Sequence, residues 1–500
     1  MSSVRSGGAG DGGAGDGEAA GHRGGDGAAA GDRTPAGNSA ATTLPCARLT
    51  ARQAIAAVAD TYSEAAVPDG RGTPSGASSA PDGPLGWRGY DDARARARER
   101  TGEDESVVTA LATIGGRETV VLSFEFRYLG GSLGERTGDR LEAAYTHARE
   151  HGLPVVSLIA TGGSRMQEGM RALTQLQRVA RQSALNRAAG LPQLAVLRDP
   201  TTGGGWATLG AAADVILALP GAQVGFAGSR VRPPDADPAA YTAEGQLAAG
   251  QIDAVVPPDR LRATLQRWLQ LLGTPREFHV EAVEPAPPPG ALGAPELPET
   301  GWGAVVRARA PGRPRAEAYM RAYFDGWEEI SGDRCGGVDP GMRCGFGHRA
   351  GRTLAFAAQC GTATRPAGFR TAARLVRLAD RLGIPVLTLV DTPGAANDAA
   401  AERAGAGAAI AETFAALATA RVPVTSLLIG EGGSGGALAL AAPDRLWATP
   451  DSYFSVIAPE LAAAILKRDT TQIHETADQL RIRPTDLLDL GVIRGIVPPA

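Results

Sequence analysis

Short apolar runs alternate along the chain with stretches whose apolar residues recur every three or four positions. From Val107 onward, VVTALATI, ETVVLSFEF, GLPVVSLIATGG and GLPQLAVLRDPTTGGG read as strands. Segments such as YDDARARARERTG, ending at Gly102, and Asp139–His151 read as helices between or before them, and another is expected from Leu49 to about Tyr62. Apolar runs of five to seven residues without polar alternation mark strands buried on both faces, so the pattern predicts an α/β fold with a largely parallel sheet. Two regions break the pattern. Residues 1–45 are rich in Gly, Ala and Asp and nearly free of large apolar side chains, a composition expected to stay disordered. EPAPPPGALGAPELPE, within 284–300, has the composition of an extended linker and marks a domain boundary.

The chain on either side of that linker repeats itself. GLPVVSLIATGG has its counterpart in GIPVLTLVDTPG, where Pro154 and Pro385 are 385 − 154 = 231 residues apart. GLPQLAVLRDPTTGGG matches RVPVTSLLIGEGGSGG at the same offset, and DVILALP matches DRLWATP one residue short of it. A period this long indicates a duplicated domain rather than a solenoid. The expected organisation is therefore a tail (1–45), a first domain (46–283), the linker (284–300) and a second domain (301–500).

Composition narrows the chemistry. Of 500 residues 43% are hydrophobic and 21% charged, and Lys+Arg of 50 against Asp+Glu of 54 gives a net charge of −4. Without a basic surplus, neither nucleic acid nor an anionic membrane is an expected partner. Lys467 is the only lysine, which leaves lysine-linked chemistry a single address. Cys46, Cys335, Cys344 and Cys360 suit neither a disulfide framework nor a paired CxxC zinc site, so free thiols in a reducing cytoplasm and no metal are expected. The apolar segments are interrupted before spanning length, for example by Asp214 and Glu412.

Each half carries a glycine cluster between a strand and a helix: Gly203, Gly204 and Gly205 before WATLGAAAD, and Gly432, Gly433, Ser434, Gly435 and Gly436 before ALALAAPD. Glycine there permits positive φ and close ligand approach, and the first amides of a helix have no intrahelical acceptor. Two such donors side by side can hold an oxyanion. The clusters are not phosphate loops, because GEGGSGGA lacks the Lys-Ser/Thr ending of that motif. Ser434 does not sit in a nucleophile elbow.

TGGSRMQEG (161–169), DPTTGG (199–204) and VGFAGSRV (224–231) resemble the β subunit of bacterial acetyl-CoA carboxylase carboxyltransferase, as do PLGWRGYDDARARARERTG and FRYLGGSLGERTGDRL. After the linker, RPRAEAYMRAYFDGWEEISGDR, TAARLVRLADRLGIPVLTLVDTPGA, IGEGGSGGALAL and YFSVIAPE resemble the α subunit. The likeness covers roughly 46–260 and 305–500, as in a β–α fusion. It implies two crotonase-like (ClpP/crotonase) spiral ββα domains in tandem. It also implies transfer of a carboxylate from carboxybiotin to the α-carbon of a short acyl-CoA, acetyl-CoA to malonyl-CoA foremost. By the same resemblance, the amides of Gly203, Gly204 and Gly205 would hold the enolate oxygen of the acyl group. Those of Gly435, Gly436 and Ala437 would hold the biotin ureido oxygen, and the released ureido nitrogen would take the α-proton. Gly162, Gly163, Arg165, Gly228 and Gly394 would line the substrate sites, with Arg165 and Glu168 contacting CoA or closing the subunit junction, although an Arg–Glu pair at a helix start is more often structural.

The resemblance further implies partners. Lys467, in AILKRD on an expected helix, lacks the flanking methionines of a biotin attachment site, so biotin would arrive on a separate biotin carboxyl carrier protein loaded by a biotin carboxylase. A homodimer or larger assembly is expected, with each active site between the first half of one protomer and the second half of another. The family's zinc ribbon is missing apart from Cys46, and DTPGAYP becomes DTPGAAN through Ala396 and Asn397. SPEG becomes Ala458-Pro459-Glu460-Leu461. These departures leave two rival readings: a malonyl-thioester decarboxylase or transcarboxylase of secondary metabolism, and a non-catalytic acyl-CoA-binding paralogue.

Overall fold

The computed structural model describes residues 49–64, 67, 81–273 and 283–500; the expected tail and Cys46 lie outside them. The first half builds an eight-stranded sheet from β1 (Thr61–Ser63), β2 (Val107–Ile114), β3 (Arg117–Phe124), β4 (Val155–Thr161), β5 (Gln193–Thr202), β6 (Val215–Ala218), β7 (Val224–Gly225) and β8 (Ala254–Val255). The second half builds another from β9 (Gly326–Ile330), β10 (Met342–Arg349), β11 (Arg352–Gln359), β12 (Val386–Thr392), β13 (Val424–Gly433), β14 (Leu446–Ala448), β15 (Tyr453–Ser455) and β16 (Gly495–Ile496). Their orders are the same. β1-β2-β3-β4-β5-β6-β8 with β7 on β5 corresponds strand for strand to β9-β10-β11-β12-β13-β14-β16 with β15 on β13.

The duplication extends to details that side chains do not dictate. β2 and β3 turn at Gly115-Gly116 (φ 57° and 77°), and β10 and β11 turn at Ala350-Gly351 (φ 49° and 76°), the doubly left-handed turn that suits a two-residue hairpin. Beyond each hairpin the sheet is parallel. The register slips between Ile159 and Thr161 of β4, and again between Val390 and Thr392 of β12. β5 then forks: Leu194–Leu197 pair with β6, whereas Thr201 and Thr202 pair with β7. β13 forks in the same way between β14 and β15. The fork carries the ends of β5 and β13 away from the main sheet, straight into the glycine clusters.

Amphipathic helices cover the sheets. Pro366–Leu382 buries Phe369, Ala372, Leu375, Val376 and Ala379, and stops where Gly383 (φ 69°) returns its N–H to Ala379. Its counterpart Glu135–His151 stops at Gly152 (φ 64°). One hydrophobic cluster crosses between the halves, from Ile55, Val121 and Leu158 through Trp268 and Leu269 to Phe346, Ala355 and Val386. Trp268 meets Phe346 edge-on with ring centroids 6.3 Å apart.

Three local expectations differ from the structure. The first helix is Ala51–Val58 and gives way to β1, because Ala59 turns to extended backbone and Asp60–Ser63 joins the edge of the sheet beside β2. Lys467 lies past the end of helix Pro459–Ile465, at φ 56°. The proline-rich segment is extended, yet it lies against the second half rather than spanning free. Ala291 is buried and bonds Pro498 and Ala500, and the Tyr323 hydroxyl donates to the Pro287 carbonyl at 2.6 Å.

Candidate active site

In the first half the end of β5 places Gly203 at φ 64°, against the loop Thr161–Ser164 that leaves β4. The approach is tight: a Cβ on Gly203 would sit 3.0 Å from the Cα of Gly163, one on Gly204 2.4 Å from Leu176, and one on Gly205 2.3 Å from Thr161. In the second half Ser434 takes the place of Gly203, with φ 55° in a residue that has a side chain. A Cβ on Gly436 would lie 2.3 Å from the backbone N of Ala395, whereas one on Gly435 would meet nothing within 4 Å. Both turns start a helix, so their leading amides lack intrahelical acceptors.

The expected donors are not equivalent. The Gly203 N–H already donates to the Phe226 carbonyl at 3.1 Å, which leaves Gly204 and Gly205 as the free pair of the first turn. Ala437 is 0% exposed with its methyl in the hydrophobic core, Gly436 is buried against Ala395, and Gly435 is half-buried beside open space. Gly228, half-buried, starts a single helical turn beside Thr202. Gly162 is exposed, and Gly163 and Gly394 lie against the two turns at φ 105° and 141°.

A short backbone ladder holds each loop. Leu133 donates to Gly163 at 2.8 Å, and Arg165 returns a bond to Leu133 at 2.9 Å. Thr364 donates to Gly394 at 3.0 Å, and Ala396 returns a bond to Thr364 at 2.9 Å. At the equivalent positions Arg165 and Ala396, however, the side chains do different work. Arg165 is 1% exposed, which fits the structural alternative for the Arg165–Glu168 pair rather than contact with CoA. Its guanidinium forks onto Glu105, reaches Glu168 at 3.1 Å and donates to the Ser132 carbonyl at 2.8 Å. Glu168 also accepts from the Tyr90 hydroxyl and the Glu135 amide, both at 2.5 Å. Burial alone would raise the Glu105 carboxyl; the Arg165 charge and hydrogen bonds override it and bring the pKa to about 2. This closed network fixes the loop that Gly203 leans on.

The second turn is braced elsewhere. Asp391 pairs with Arg313 at 2.5 Å and accepts the Glu431 amide at 3.2 Å. Burial still pushes the Asp391 carboxyl up, against the pull of Arg313. Glu431, next to the glycines, accepts from Arg309 at 2.6 Å and from the Tyr453 hydroxyl at 2.7 Å, while Arg309 also holds Glu460. Glu431 is marked in the sequence by its place beside the glycines, whereas nothing local marks Arg309, Arg313 and Tyr453, whose positions become meaningful only once the chain is folded.

Contrary to the expectation that the sequence holds no HxxxH pair, His147 and His151 form one on the helix Glu135–His151. Their ring centroids lie 4.0 Å apart with the planes tilted by 31°. Among the described residues no group of three or more His, Cys, Asp or Glu side chains could hold a metal ion, and no helix is long and apolar enough to cross a membrane. Cys335, Cys344 and Cys360 are free.

Exposed apolar side chains flank both turns. Phe226 and Val456 each follow the strand that pairs with a glycine strand end, and both are 73% exposed. Met166, Met170 and Val231 continue the first patch, and Leu461, Ile465 and Leu466 the second.

Comparison with known proteins matches both halves. A family model described as carboxyl transferase domain matches residues 84–277, and one described as acetyl co-enzyme A carboxylase carboxyltransferase-like matches 299–500. The acetyl-coenzyme A carboxylase carboxyl transferase subunits beta/alpha of Salinispora arenicola are 40% identical over 479 residues, covering 90% of this chain and 82% of that protein. A probable biotin-dependent acyl-coenzyme A carboxylase beta3 subunit of Mycobacterium tuberculosis is 36% identical, covering 81% of this chain and 82% of that one. Among solved structures, the transcarboxylase 12S hexamer with methylmalonyl-coenzyme A bound shares the fold at a TM-score of 0.72 and 21% identity, covering 90% of this chain and 87% of that chain.

Proposed function

Since the chain belongs to the carboxyltransferase family of biotin-dependent acyl-CoA carboxylases, we propose that its acceptor is a short acyl-CoA, acetyl-CoA first, and that malonyl-CoA is the product. The observation that carries this reading is the pair of glycine turns at equivalent strand ends, each with leading amides that lack intrahelical acceptors and a close-packed partner loop. Gly204 and Gly205 hold the thioester oxygen as negative charge develops on it, and Gly435 and Gly436 hold the ureido oxygen of biotin. Such preorganised donors act where charge appears, and loss of one typically costs about 10²–10³ in rate. Carboxybiotin, brought in on a separate carrier protein, supplies the carboxylate and the nitrogen base that removes the α-proton. Space over Gly435, with nothing within 4 Å of a Cβ there, fits that group. No histidine or cysteine of this chain is asked to move a proton, consistent with a site built from backbone amides.

Each turn holds one of the two reactants, so two turns must face each other. The apolar patches around Phe226 and Val456 support an arrangement in which the first half of one protomer closes on the second half of another. Purified protein, biotinylated carrier, biotin carboxylase, ATP and labelled bicarbonate should fix label into acyl-CoA, most rapidly into acetyl-CoA. Failure to label any acyl-CoA from two to five carbons sinks the proposal. Faster labelling of a longer acyl group corrects only the acceptor, and CO₂ release from malonyl-thioesters without ATP favours the decarboxylase reading instead.

A further inference from the structure

A cavity of about 430 Å³ opens between the two halves of the chain, with no residue of either glycine turn in its lining. One wall is Arg187 with the segment Ala211–Asp214; the other is the helix Pro366–Leu382 with Asp333 and Arg334. The helix turns Arg370, Arg374, Arg377 and Arg381 toward it, at the spacings of a single helix face.

The charges do not balance. Arg370 pairs with Asp333 at 2.7 Å, and Arg377 pairs with Glu412. The other four arginines share two carboxylates. Asp214 serves Arg381 at 2.6 Å and Arg187 at 3.7 Å, and Asp253, behind the wall, serves Arg334 at 2.5 Å and Arg374 at 3.0 Å. Six guanidiniums therefore face four carboxylates. Three donors of this group, Nη1 of Arg334, Nε of Arg374 and Nη2 of Arg381, are buried with no hydrogen-bond partner, although the last sits 2.6 Å from Asp214. A buried, unsatisfied donor on a charged group is costly, so such a cluster is expected to take an acceptor. Burial, with a smaller push from the neighbouring Arg374 charge, moves the Arg334 pKa down despite Asp253.

We propose that this cavity binds a small oxyanion bearing at least two negative charges, phosphoryl or polycarboxylate, which ties the two halves of one protomer together. Planar guanidinium forks suit both phosphate and carboxylate oxygens, and a dianion cancels the surplus of two. Because the walls come from both halves, occupancy stiffens the junction that carries the shared core and provides a control point separate from the catalytic turns.

Isothermal titration of the full chain with inorganic pyrophosphate should show one site per chain. Amide exchange should slow in 211–214 and 366–382. Arg377→Gln, half-exposed at the rim, and Arg374→Gln, inside, should each weaken binding at least tenfold, the first with unchanged melting temperature. Citrate in place of pyrophosphate identifies the source: equal affinity points to polycarboxylates, and tenfold weaker binding to phosphoryl groups. The proposal is overturned if sodium chloride at matched ionic strength reproduces the effect, if Arg377→Gln binds as tightly as the native chain, or if protection appears at the glycine turns instead.

Discussion

Gly435 and Gly436 are neighbours in one turn, yet their surroundings separate a chemical role from a packing role. A methyl on Gly435 projects into open space, and its φ is not in the left-handed region, so Gly435→Ala should change folding stability by less than about 0.5 kcal/mol. The same methyl intrudes where the ureido group would sit, and carboxyl transfer should fall by about 10²-fold. Gly436→Ala meets the Ala395 backbone at 2.3 Å and should cost about 1–3 kcal/mol of stability as well as activity. Denaturant unfolding and initial rates on both variants check this; a Gly435→Ala enzyme at full rate removes the second turn from the mechanism. Ser434 shows what the duplication tolerates, since it keeps the positive φ of Gly203 without being glycine.

At the scale of elements, the two loops beneath the turns have the same backbone ladder and different anchors. Arg165 ties the loop after β4, with Glu168 in it, to Glu105 just before β2 and to Tyr90, so three separated segments are fixed by one buried guanidinium. The folded Glu105 pKa of about 2 lies below the ordinary 4.5. Its contribution is therefore present above about pH 4.5 and is lost as pH falls toward 2, about 3 kcal/mol in all. Urea titrations at pH 7, 4 and 3 should show this loss, and Glu105→Gln should flatten the slope over that range. Arg165→Met should be far more damaging at neutral pH, by about 3–5 kcal/mol, because it strands two buried carboxylates. An Arg165→Met chain as stable as the native one contradicts the anchoring role. In the second half Ala396 occupies the Arg165 position, and the bracing passes to Arg313–Asp391 and Arg309–Glu431.

For the whole molecule, the shared core and the exposed patches point in opposite directions. Trp268, Leu269 and Phe346 join the two halves of one chain, whereas Phe226 and Val456 leave exposed apolar surface beside both turns, the surface proposed to meet another protomer. Phe226→Asp with Val456→Asp should yield protomers by light scattering at micromolar concentration. It should also abolish carboxyl transfer while leaving the far-ultraviolet spectrum unchanged. Retained assembly together with retained activity places the oligomeric face elsewhere.

The duplication, the strand runs and both glycine clusters were legible in the sequence, because apolar runs that must be buried and glycines that must turn leave local signatures. Long motifs likewise carried the family. Local pattern could not tell that Gly203 spends its amide on Phe226, that Ala437 faces the core, or that Arg165 is sealed among carboxylates rather than offered to CoA. Those outcomes depend on partners 20 to more than 70 residues away in the chain, such as Tyr90 and Glu105 for Arg165, Phe226 for Gly203 and Arg309 for Glu431. The sequence determined which residues could turn, donate and bury. Tertiary packing decided which of them remain free to do chemistry, because a hydrogen bond or ion pair is committed only when folding brings its partner within about 3 Å.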